Sequence, residues 1–416
     1  MFAKNVQRAL LKMRKIFPPT PLQYSEFLSK RYQADIYLKR EDLSPVRSYK
    51  IRGAFHYISD YLQKHKNKKI TFVCSSLGNH AQGVAFACAQ FKSKGIIFMP
   101  TTAPKQKIDK VKIIGKGYVE IKLEGDTFDD AARFSKKFCQ QNKDNVYVAP
   151  YDKVEVIEGQ ATVAAEILEQ STKKIDLIFT PVGGGGLASG ICKFFKENSP
   201  HTEIVFTEAL GCPSFSESLK AGKAIELDKI DTFVDGAAVG IFGKNPFKIL
   251  KPHVQREVIL IPENRLCETI MEFLYHEGIV LEPAGGLSID GLKSMKKSFL
   301  KNKNIVCVVS GGNFDFERLP EVKERAMNAA GLKKYFILRL PQRPGALKDF
   351  LSLLGPDDDI ARFEYLKKSA KEFGSILLGI ETKDPANFKV LTKKIAKQNF
   401  YFKDVTEDEV LADFLI

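Results

Sequence analysis

The chain has 416 residues, a length that exceeds one ordinary hydrophobic core and predicts two or three domains. Its 44% hydrophobic and 27% charged residues are typical of a folded globular protein. The formal net charge of +14 raises the question of an acidic partner, but the lysines are spread along the chain and no basic cluster alternates with aromatic residues. The composition therefore argues against a nucleic-acid-binding protein.

The seven cysteines are scattered and form no Cys-x-x-Cys pair. This argues against a zinc site and favours a reducing, cytoplasmic compartment. No stretch approaches the ~20 apolar residues of a membrane span, and the apolar run at residues 9–11 is far too short for a signal peptide. We therefore expect a cytoplasmic protein that binds no metal and does not enter a membrane.

Taken in chain order, the pattern first predicts an amphipathic helix that ends before Pro18, then an extended arm from Thr20. Beyond it, short apolar strands alternate with helical stretches, which predicts parallel sheets covered by helices on both faces. We expect strands at residues 34–40, 70–74, 96–100, 118–121, 146–148, 175–182, 203–207 and 305–309. We expect helices at residues 50–63, 84–89 and 159–169, and from about residues 104 and 127.

The pattern of apolar and polar residues changes near residues 326–332. The apolar stretches beyond that point indicate the order strand, helix, strand, strand, helix, strand, with strands near residues 335–340, 361–365, 375–380 and 400–402. This order is typical of a small ferredoxin-like α+β module. We expect the module to occupy residues 333–416.

Lys50 lies in the stretch Ser48-Tyr49-Lys50-Ile51-Arg52-Gly53-Ala54, directly before a predicted helix. Taken alone, a lysine in such a position is most often a solvated surface charge. Two further stretches make it a candidate for chemistry: a polar loop over residues 75–83 and a four-glycine run over residues 183–186. An amine, an asparagine loop and a glycine cradle together outline a Schiff-base lysine, a ring contact and a phosphate site.

The four-glycine run follows a predicted strand and precedes a helical stretch. Backbone N–H groups and a helix N-terminus can converge there on a phosphate, and side chains would block that approach. The alternative is a flexible turn. No Gly-Lys-Ser follows, which excludes a nucleotide-triphosphate loop, and a dinucleotide-binding fingerprint fits poorly.

Ser76, Gly78, Asn79 and His80 offer side-chain and backbone donors at which an amino-acid carboxylate could bind. Alone, such a turn after a strand is more often ordinary loop chemistry. Ser310 ends another apolar strand, at the edge where α/β sheets bind ligands. Its hydroxyl can hydrogen-bond a pyridine nitrogen without keeping it protonated, which suits elimination better than transamination. The alternative for Ser310 is a helix N-cap.

These motifs, in this order, resemble the fold-type II pyridoxal-phosphate enzymes and, within them, the biosynthetic threonine dehydratases. The resemblance covers residues 20–320, and residues 341–347 resemble the start of the ACT-like regulatory domain of these enzymes, present once. It rests on Thr20-Pro21-Leu22, Leu38-Lys39-Arg40-Glu41-Asp42-Leu43, the stretch around Lys50, Gly78-Asn79-His80-Ala81-Gln82-Gly83, Gly183 to Leu187, Glu282-Pro283-Ala284-Gly285 and Ser310-Gly311-Gly312-Asn313.

The resemblance implies an α/β fold with two parallel-sheet subdomains. The catalytic domain would span residues 1–325, with a small subdomain inserted at roughly residues 50–155. An ACT-like α+β domain with the ferredoxin-like order would follow at residues 333–416.

The resemblance also implies a role for each candidate residue toward pyridoxal 5'-phosphate. Lys50 would form the Schiff base and later take the Cα proton, Asn79 would contact the 3-oxygen, and Ser310 would face the ring nitrogen. The phosphate would be bound by the backbone of Gly183, Gly184, Gly185, Gly186 and Leu187. The substrate carboxylate would be bound by Ser76, Gly78, Asn79 and His80.

The implied reaction is the dehydration and deamination of L-threonine to 2-oxobutanoate and ammonia, the first step of isoleucine biosynthesis, with L-serine as a second candidate substrate. Isoleucine would inhibit through the C-terminal module and valine would oppose it, in a homotetramer. The chain departs from the family pattern at three positions. Tyr49 stands for a phenylalanine, Leu77 for a small residue and Ala161 for a glycine.

Two kinds of alternative remain open. The first is another enzyme of the same fold, such as a serine dehydratase, a serine racemase, a catabolic threonine dehydratase or a threonine synthase. The C-terminal module favours the biosynthetic branch. The second is a non-catalytic amino-acid sensor, against which Lys50 argues. A cation site at Glu208 is not supported, because Cys212 and Ser214 lack the carboxylate that such sites favour.

Overall fold

The structure, a computed structural model, describes residues 1–66, 69–366, 372–398 and 400–408 of the chain. Residues 409–416 of the predicted C-terminal module therefore lie outside the described residues. The chain divides into two compact units. The first comprises Met1–Glu263 and Phe273–Phe314, and the second comprises Asn264–Glu272 and Asp315–Ile416.

The strands of the first unit form two sheets, as the alternation of apolar strands and helices predicts. In chain order they are β1 (Leu22–Tyr24), β2 (Asp35–Arg40), β3 (Thr71–Ser75), β4 (Lys94–Met99), β5 (Val119–Leu123), β6 (Asn145–Tyr147), β7 (Leu177–Pro181), β8 (Glu203–Ala209), β9 (Ile259–Ile261) and β10 (Asn304–Val309). The larger sheet has the order β1-β2-β10-β7-β8-β9, and the smaller has the order β5-β4-β3-β6.

Nearly all neighbouring strands of these two sheets are parallel, and the pair β1 and β2 is antiparallel. Parallel sheets need cover on both faces, which explains the unbroken burial of β7. The α/β prediction with two parallel-sheet subdomains is confirmed. Among the described residues, no helix is long and apolar enough to cross a membrane.

Helices separate the strands and cover the sheets. In chain order they are α1 (Phe2–Arg14), α2 (Glu26–Tyr32), α3 (Lys50–Lys64), α4 (Asn79–Phe91), α5 (Lys105–Gly115), α6 (Phe128–Gln140), α7 (Val154–Gln160), α8 (Thr162–Gln170), α9 (Gly186–Asn198), α10 (Ser214–Ala221), α11 (Lys244–Leu250), α12 (Glu263–His276), α13 (Pro283–Asp290) and α14 (Lys297–Leu300). The predicted first helix is therefore shorter than expected, and none of the helices and strands between residues 209 and 304 was predicted.

The predicted helix over residues 159–169 is wrong in one respect, because it consists of the end of α7 and the start of α8. The break is at Ala161, which has φ −64° and ψ −15°. These are helical angles that any residue adopts. Alanine in place of the glycine of the family pattern is therefore compatible with the backbone here.

The second unit contains α15 (Leu319–Ala329), β11 (Lys333–Pro341), α16 (Ala346–Leu351), β12 (Asp359–Leu366), β13 (Phe373–Glu381), α17 (Ala386–Lys397) and β14 (Tyr401–Asp404). Its sheet has the antiparallel order β12-β13-β11-β14. Phe336, Leu338, Ile376 and Leu378 of the sheet form a core with Phe388 of α17. The predicted order strand, helix, strand, strand, helix, strand is confirmed.

Helix α3 crosses α7 at very close range. A Cβ added to Gly53 would lie 2.3 Å from Nε2 of Gln160, and one added to Gly159 would lie 2.6 Å from the carbonyl oxygen of Arg52. A side chain at position 159 would therefore separate the two helices, whereas one at position 53 would displace the side chains of Gln160 and Val156. The Gly53 N–H donates to Oε1 of Gln160 at 3.2 Å.

A group of buried charges fixes α3 to the rest of the first unit. The Arg52 guanidinium lies between two carboxylates, 2.7 and 2.8 Å from the Glu41 oxygens and 2.9 and 2.7 Å from those of Glu166. The side chains of Arg52 and Glu41 are fully buried, and that of Glu166 is 2% exposed.

Two further residues complete this buried charge cluster. Lys39 donates to Glu166 at 2.6 Å and to the carbonyl oxygen of Thr20 at 2.6 Å, and the Thr20 hydroxyl donates to Glu41 at 2.5 Å. Burial alone would raise the pKa of Glu166, but Arg52 and Lys39 outweigh it and lower this pKa to about 2. The cluster joins the N-terminal arm, β2, α3 and α8.

Replacing Arg52 should destabilise the protein severely. Arg52→Leu leaves Glu41 and Glu166 buried without their main partner, which costs about 3–5 kcal/mol. The matched control is Lys220→Ala, which removes an exposed pair with Glu217 and should leave the stability nearly unchanged. The measurement is the midpoint of urea unfolding. Equal midpoints for the two variants would show that the cluster does not stabilise the fold.

Candidate active site

Lys50 is the first residue of α3, and the backbone before it is joined to the end of β10. Ser48 and Gly311 form an antiparallel bridge, and the Tyr49 N–H donates to the carbonyl oxygen of Ser310 at 3.0 Å. The lysine therefore starts its helix at the carboxyl edge of the larger sheet. Open α/β sheets bind their ligands at this edge.

The amine of Lys50 is buried, with 9% of the residue exposed. Its Nζ donates to the carbonyl oxygen of Pro150 at 3.2 Å and lies 5.4 Å from the ring centroid of Tyr49. Burial lowers the pKa of Lys50 to about 8, although the Glu282 carboxyl opposes the shift. Close to neutral pH, part of the population therefore carries an uncharged amine, the nucleophilic form.

The four glycines connect β7 to α9, as predicted, and form a tight turn. Gly185 has φ +87°, a conformation that favours glycine. A Cβ on Gly184 would lie 2.5 Å from the ring of Tyr151. Helix α9 begins here, and the first N–H groups of a helix have no partners within it. The turn and Leu187 thus offer the convergent backbone donors that suit a phosphate group.

Asn79 begins α4, and both ends of its side-chain amide are engaged. Its Nδ2 donates to Oε1 of Glu282 at 2.7 Å, and its Oδ1 accepts from Nδ2 of Asn313 at 2.6 Å. In the loop before it, the Gly78 N–H donates to the hydroxyl of Ser76 at 3.2 Å. A Cβ on Gly78 would meet no atom within 4 Å, so this side of the loop faces open space.

His80 is buried, and its Nε2 donates to the carbonyl oxygen of Val148 at 2.8 Å. Burial and the Lys50 charge lower the pKa of His80 to about 3. Its ring is therefore neutral at neutral pH and is anchored to the backbone. The backbone N–H of His80, in the first turn of α4, is the group suited to a carboxylate.

Ser310 directly follows β10 and is 2% exposed. Its hydroxyl donates to the carbonyl oxygen of Ala284 at 3.1 Å. The alternative interpretation as a helix N-cap is wrong, because in the described chain the next helical turn after Ser310 begins at Phe316. Its backbone contact with Tyr49 brings Ser310 next to the start of α3.

Three residues of the site were given no role by the sequence. Glu282 precedes α13 and is 5% exposed, and burial together with the charge of Asp235 raises its pKa to about 8. Asn313 bonds to Asn79, and Tyr151 packs over the glycine turn with its hydroxyl donating to the carbonyl oxygen of Ile241 at 2.9 Å. Glu282 and Asn313 do lie within motifs that carry the family resemblance, and this was the sequence signal from which they could have been identified as site residues.

The residues that depart from the family pattern pack into the protein. The side chain of Leu77 contacts the core of the smaller sheet, and Tyr49 contacts the core around the larger sheet. Each of these side chains therefore has a packing role at the start of an active-site helix.

The Glu208 carboxylate is occupied by the start of α10. It accepts from the backbone N–H groups of Phe215 and Ser216, at 2.7 and 3.0 Å, and from the Ser216 hydroxyl at 2.9 Å. Burial raises the pKa of Glu208 to about 7. In the part of the chain that the structure describes, no group of three or more His, Cys, Asp or Glu side chains could hold a metal ion.

Two protein families match the chain in succession. Residues 14–311 match the family described as pyridoxal-phosphate dependent enzyme. Residues 324–415 match the C-terminal regulatory domain of threonine dehydratase. The first match includes Lys50, the glycine turn and Ser310.

Individual relatives agree with this result. The chain is 45% identical over 405 residues to L-threonine dehydratase biosynthetic IlvA of Halalkalibacterium halodurans, covering 97% of this chain and 96% of the relative. It is 44% identical over 415 residues to the protein of that name from Bacillus subtilis, covering 99% and 97%.

A solved structure gives the same answer. The processed form of threonine deaminase isoform 2 from Solanum lycopersicum superposes with a TM-score of 0.72 and 34% identity, covering 78% of this chain and 93% of that one. Similarity thus extends over both units in sequence and over most of the chain in structure. The chain belongs to the pyridoxal-phosphate-dependent enzymes and, within them, to the family of biosynthetic L-threonine dehydratases with a C-terminal regulatory domain.

Proposed function

We propose that the chain catalyses the pyridoxal-phosphate-dependent dehydration and deamination of L-threonine to 2-oxobutanoate and ammonia, as a threonine ammonia-lyase. The observation that carries the proposal is the buried amine of Lys50, with its lowered pKa, at the carboxyl edge of the larger sheet. A sensor without catalysis would have no need of such an amine. The names of the relatives supply the substrate.

We assign the site residues as follows. Lys50 would bind the cofactor covalently, Ser310 would hydrogen-bond its ring nitrogen, and Asn79 would donate to its 3-oxygen. The phosphate would be bound by the backbone N–H groups of Gly183, Gly184, Gly185, Gly186 and Leu187. The substrate carboxylate would be bound at the start of α4 by Ser76, Gly78, Asn79 and His80.

The bound cofactor supplies an electron sink that stabilises negative charge at Cα of the substrate. Lys50, when uncharged, accepts the Cα proton at Nζ. Loss of this proton and of the β-hydroxyl as water leaves an enamine, which hydrolyses to 2-oxobutanoate and ammonia. The neutral hydroxyl of Ser310 does not hold a ring nitrogen protonated, which favours elimination over transamination.

We also propose which parts of the chain form the catalytic domain and which form the regulatory domain. Residues 1–325 form the catalytic domain, with a small subdomain at roughly residues 50–155, and residues 333–416 form the regulatory domain. The position of the smaller sheet, from β3 to β6, supports the first assignment. We expect a cytoplasmic homotetramer, and the cysteines, all free in the structure, support a reducing compartment.

A cavity of about 340 Å³ in the second unit is our candidate for the effector site, which would bind isoleucine as inhibitor and valine as its opponent. Its lining combines cationic and apolar groups: Arg339, Pro341, Arg343, Asp349, Ser352, Phe373, Gln398 and Phe400. An aliphatic amino acid presents a carboxylate for an arginine and a hydrocarbon side chain for the phenylalanine rings. This chemistry supports an amino-acid effector.

Removing the amine of Lys50 should abolish the function. Lys50→Ala is expected to lose the visible absorption band of the lysine-bound cofactor and to form 2-oxo acid from L-threonine roughly a thousandfold more slowly. The matched control, Lys137→Ala, removes an exposed lysine of α6 and should keep both properties. A Lys50→Ala protein with an unchanged band and unchanged turnover would refute the assignment.

The lowered pKa of Lys50 predicts a pH dependence in the cofactor-free protein. The amine is charged below a pH of about 8 and uncharged above it, whereas an ordinary lysine changes at about 10.5. The initial rate at which added pyridoxal phosphate binds covalently, followed by absorbance, should therefore rise with pH and level off above about 8. A rate that still climbs steeply towards pH 10 would contradict the shift.

Arg339→Met tests the effector site in the full-length protein. Losing a charged partner for the carboxylate should raise the isoleucine concentration for half-inhibition at least about tenfold, with threonine turnover retained. Lys393→Ala, on the exposed side of α17, is the control. If the parent protein ignores saturating isoleucine, regulation by this effector fails. If isoleucine inhibits the parent protein and Arg339→Met equally well, the effector does not bind in this cavity.

A further inference from the structure

The side-chain amide of Asn79 is the middle member of a chain of hydrogen bonds. Nζ of Lys110 donates to Oδ1 of Asn313, and Nδ2 of Asn313 donates to Oδ1 of Asn79 at 2.6 Å. Nδ2 of Asn79 then donates to Oε1 of Glu282 at 2.7 Å. Lys110 lies on α5, Asn313 lies after β10, Asn79 starts α4 and Glu282 precedes α13. This series of hydrogen bonds therefore joins both sheets of the first unit.

The lysine sets the direction of every bond in this chain. A lysine ammonium can only donate, so the oxygen of Asn313 faces Lys110 and its nitrogen faces Asn79. The oxygen of Asn79 must then accept, which turns its nitrogen towards Glu282. Glu282, at the other end of this series of hydrogen bonds, could not impose a direction. Its raised pKa allows its carboxyl to donate as well as to accept.

Asn313 is itself fixed in place. Its Nδ2 also donates to the carbonyl oxygen of Val46 at 2.9 Å, in the segment that leads to Lys50. Rotating the amide of Asn313 by half a turn would place its nitrogen against Lys110 and its oxygen against the Val46 carbonyl. Both contacts oppose that rotation, so the orientation of Asn313 is determined before any ligand binds.

We propose that Lys110 and Asn313 are positioning residues that fix the direction of the Asn79 amide, so that its nitrogen rather than its oxygen would face the cofactor. An amide nitrogen carries two hydrogens, and Glu282 accepts one of them. Among the described residues, the structure gives the second hydrogen no further acceptor. It remains available for the 3-oxygen of the cofactor. This inference rests on the proposed function of Asn79.

The decisive variant, Asn313→Asp, should reverse the direction of the hydrogen bonds made by Asn79 while it keeps the shape of the side chain at position 313. In Asn313→Asp, two oxygens replace the oxygen and the nitrogen, so Lys110 keeps an acceptor while Asn79 and the Val46 carbonyl lose their donor. The Asn79 amide should turn round and present its oxygen to the cofactor. We expect cofactor affinity, measured by absorbance titration of the cofactor-free protein, to fall about tenfold, with a shifted visible maximum.

Two further variants separate positioning from folding. Asn79→Asp removes the donor itself and should weaken cofactor binding at least as much as Asn313→Asp does. Lys110→Met removes the residue that sets the direction of the hydrogen bonds and should lower the cofactor affinity a few-fold. It keeps the experiment decisive if Asn313→Asp does not fold.

The control is Asn302→Asp, a substitution of identical size at an exposed position with φ +60°. It should leave cofactor affinity and the visible maximum unchanged. If Asn313→Asp and Lys110→Met change the unfolding midpoint alone, with affinity and absorbance equal to the parent, the positioning role is refuted. If the parent protein shows no lysine-bound cofactor, the proposed function fails instead.

Discussion

The structure depends most on the guanidinium of Arg52, which lies between the carboxylates of Glu41 and Glu166 with no access to water. Buried charges are tolerated only when each has its partners, so the cluster forms as a whole or not at all. Helix α3 carries Arg52 and starts at Lys50. The location of the amine is thus determined by charges that take no part in the chemistry.

At neutral pH, Glu282 and His80 of the candidate site are mostly uncharged, and part of the Lys50 population is uncharged as well. Burial lowers the pKa of Lys50 and raises that of Glu282, both to about 8, and it leaves His80 neutral. The groups suited to anionic parts of a ligand are therefore the backbone N–H groups at the starts of α4 and α9. Oriented dipoles of this kind do not have to reorganise during a reaction, which makes them effective in a dry site.

Local signals explain what could be predicted from the sequence. The apolar strands, the glycine turn and Lys50 each stand in a short contiguous pattern, and so does the order of elements in the second unit. Two of the elements missed between residues 209 and 304 are very short: β9 has three residues and α14 has four. The pairing of Asn79 with Glu282 spans 203 residues of sequence, and no local pattern contains it.

The glycine contact between α3 and α7 sets a narrow tolerance on the geometry of catalysis. A single methyl group on Gly159 would meet the Arg52 carbonyl at 2.6 Å and force the helices apart. A helix moves as a rigid rod over one turn, so Lys50 would travel with Arg52. Errors of about 1 Å in a reacting group can cost roughly a hundredfold in rate. The position of the Lys50 amine therefore depends on Gly159, a residue that has no side chain at all.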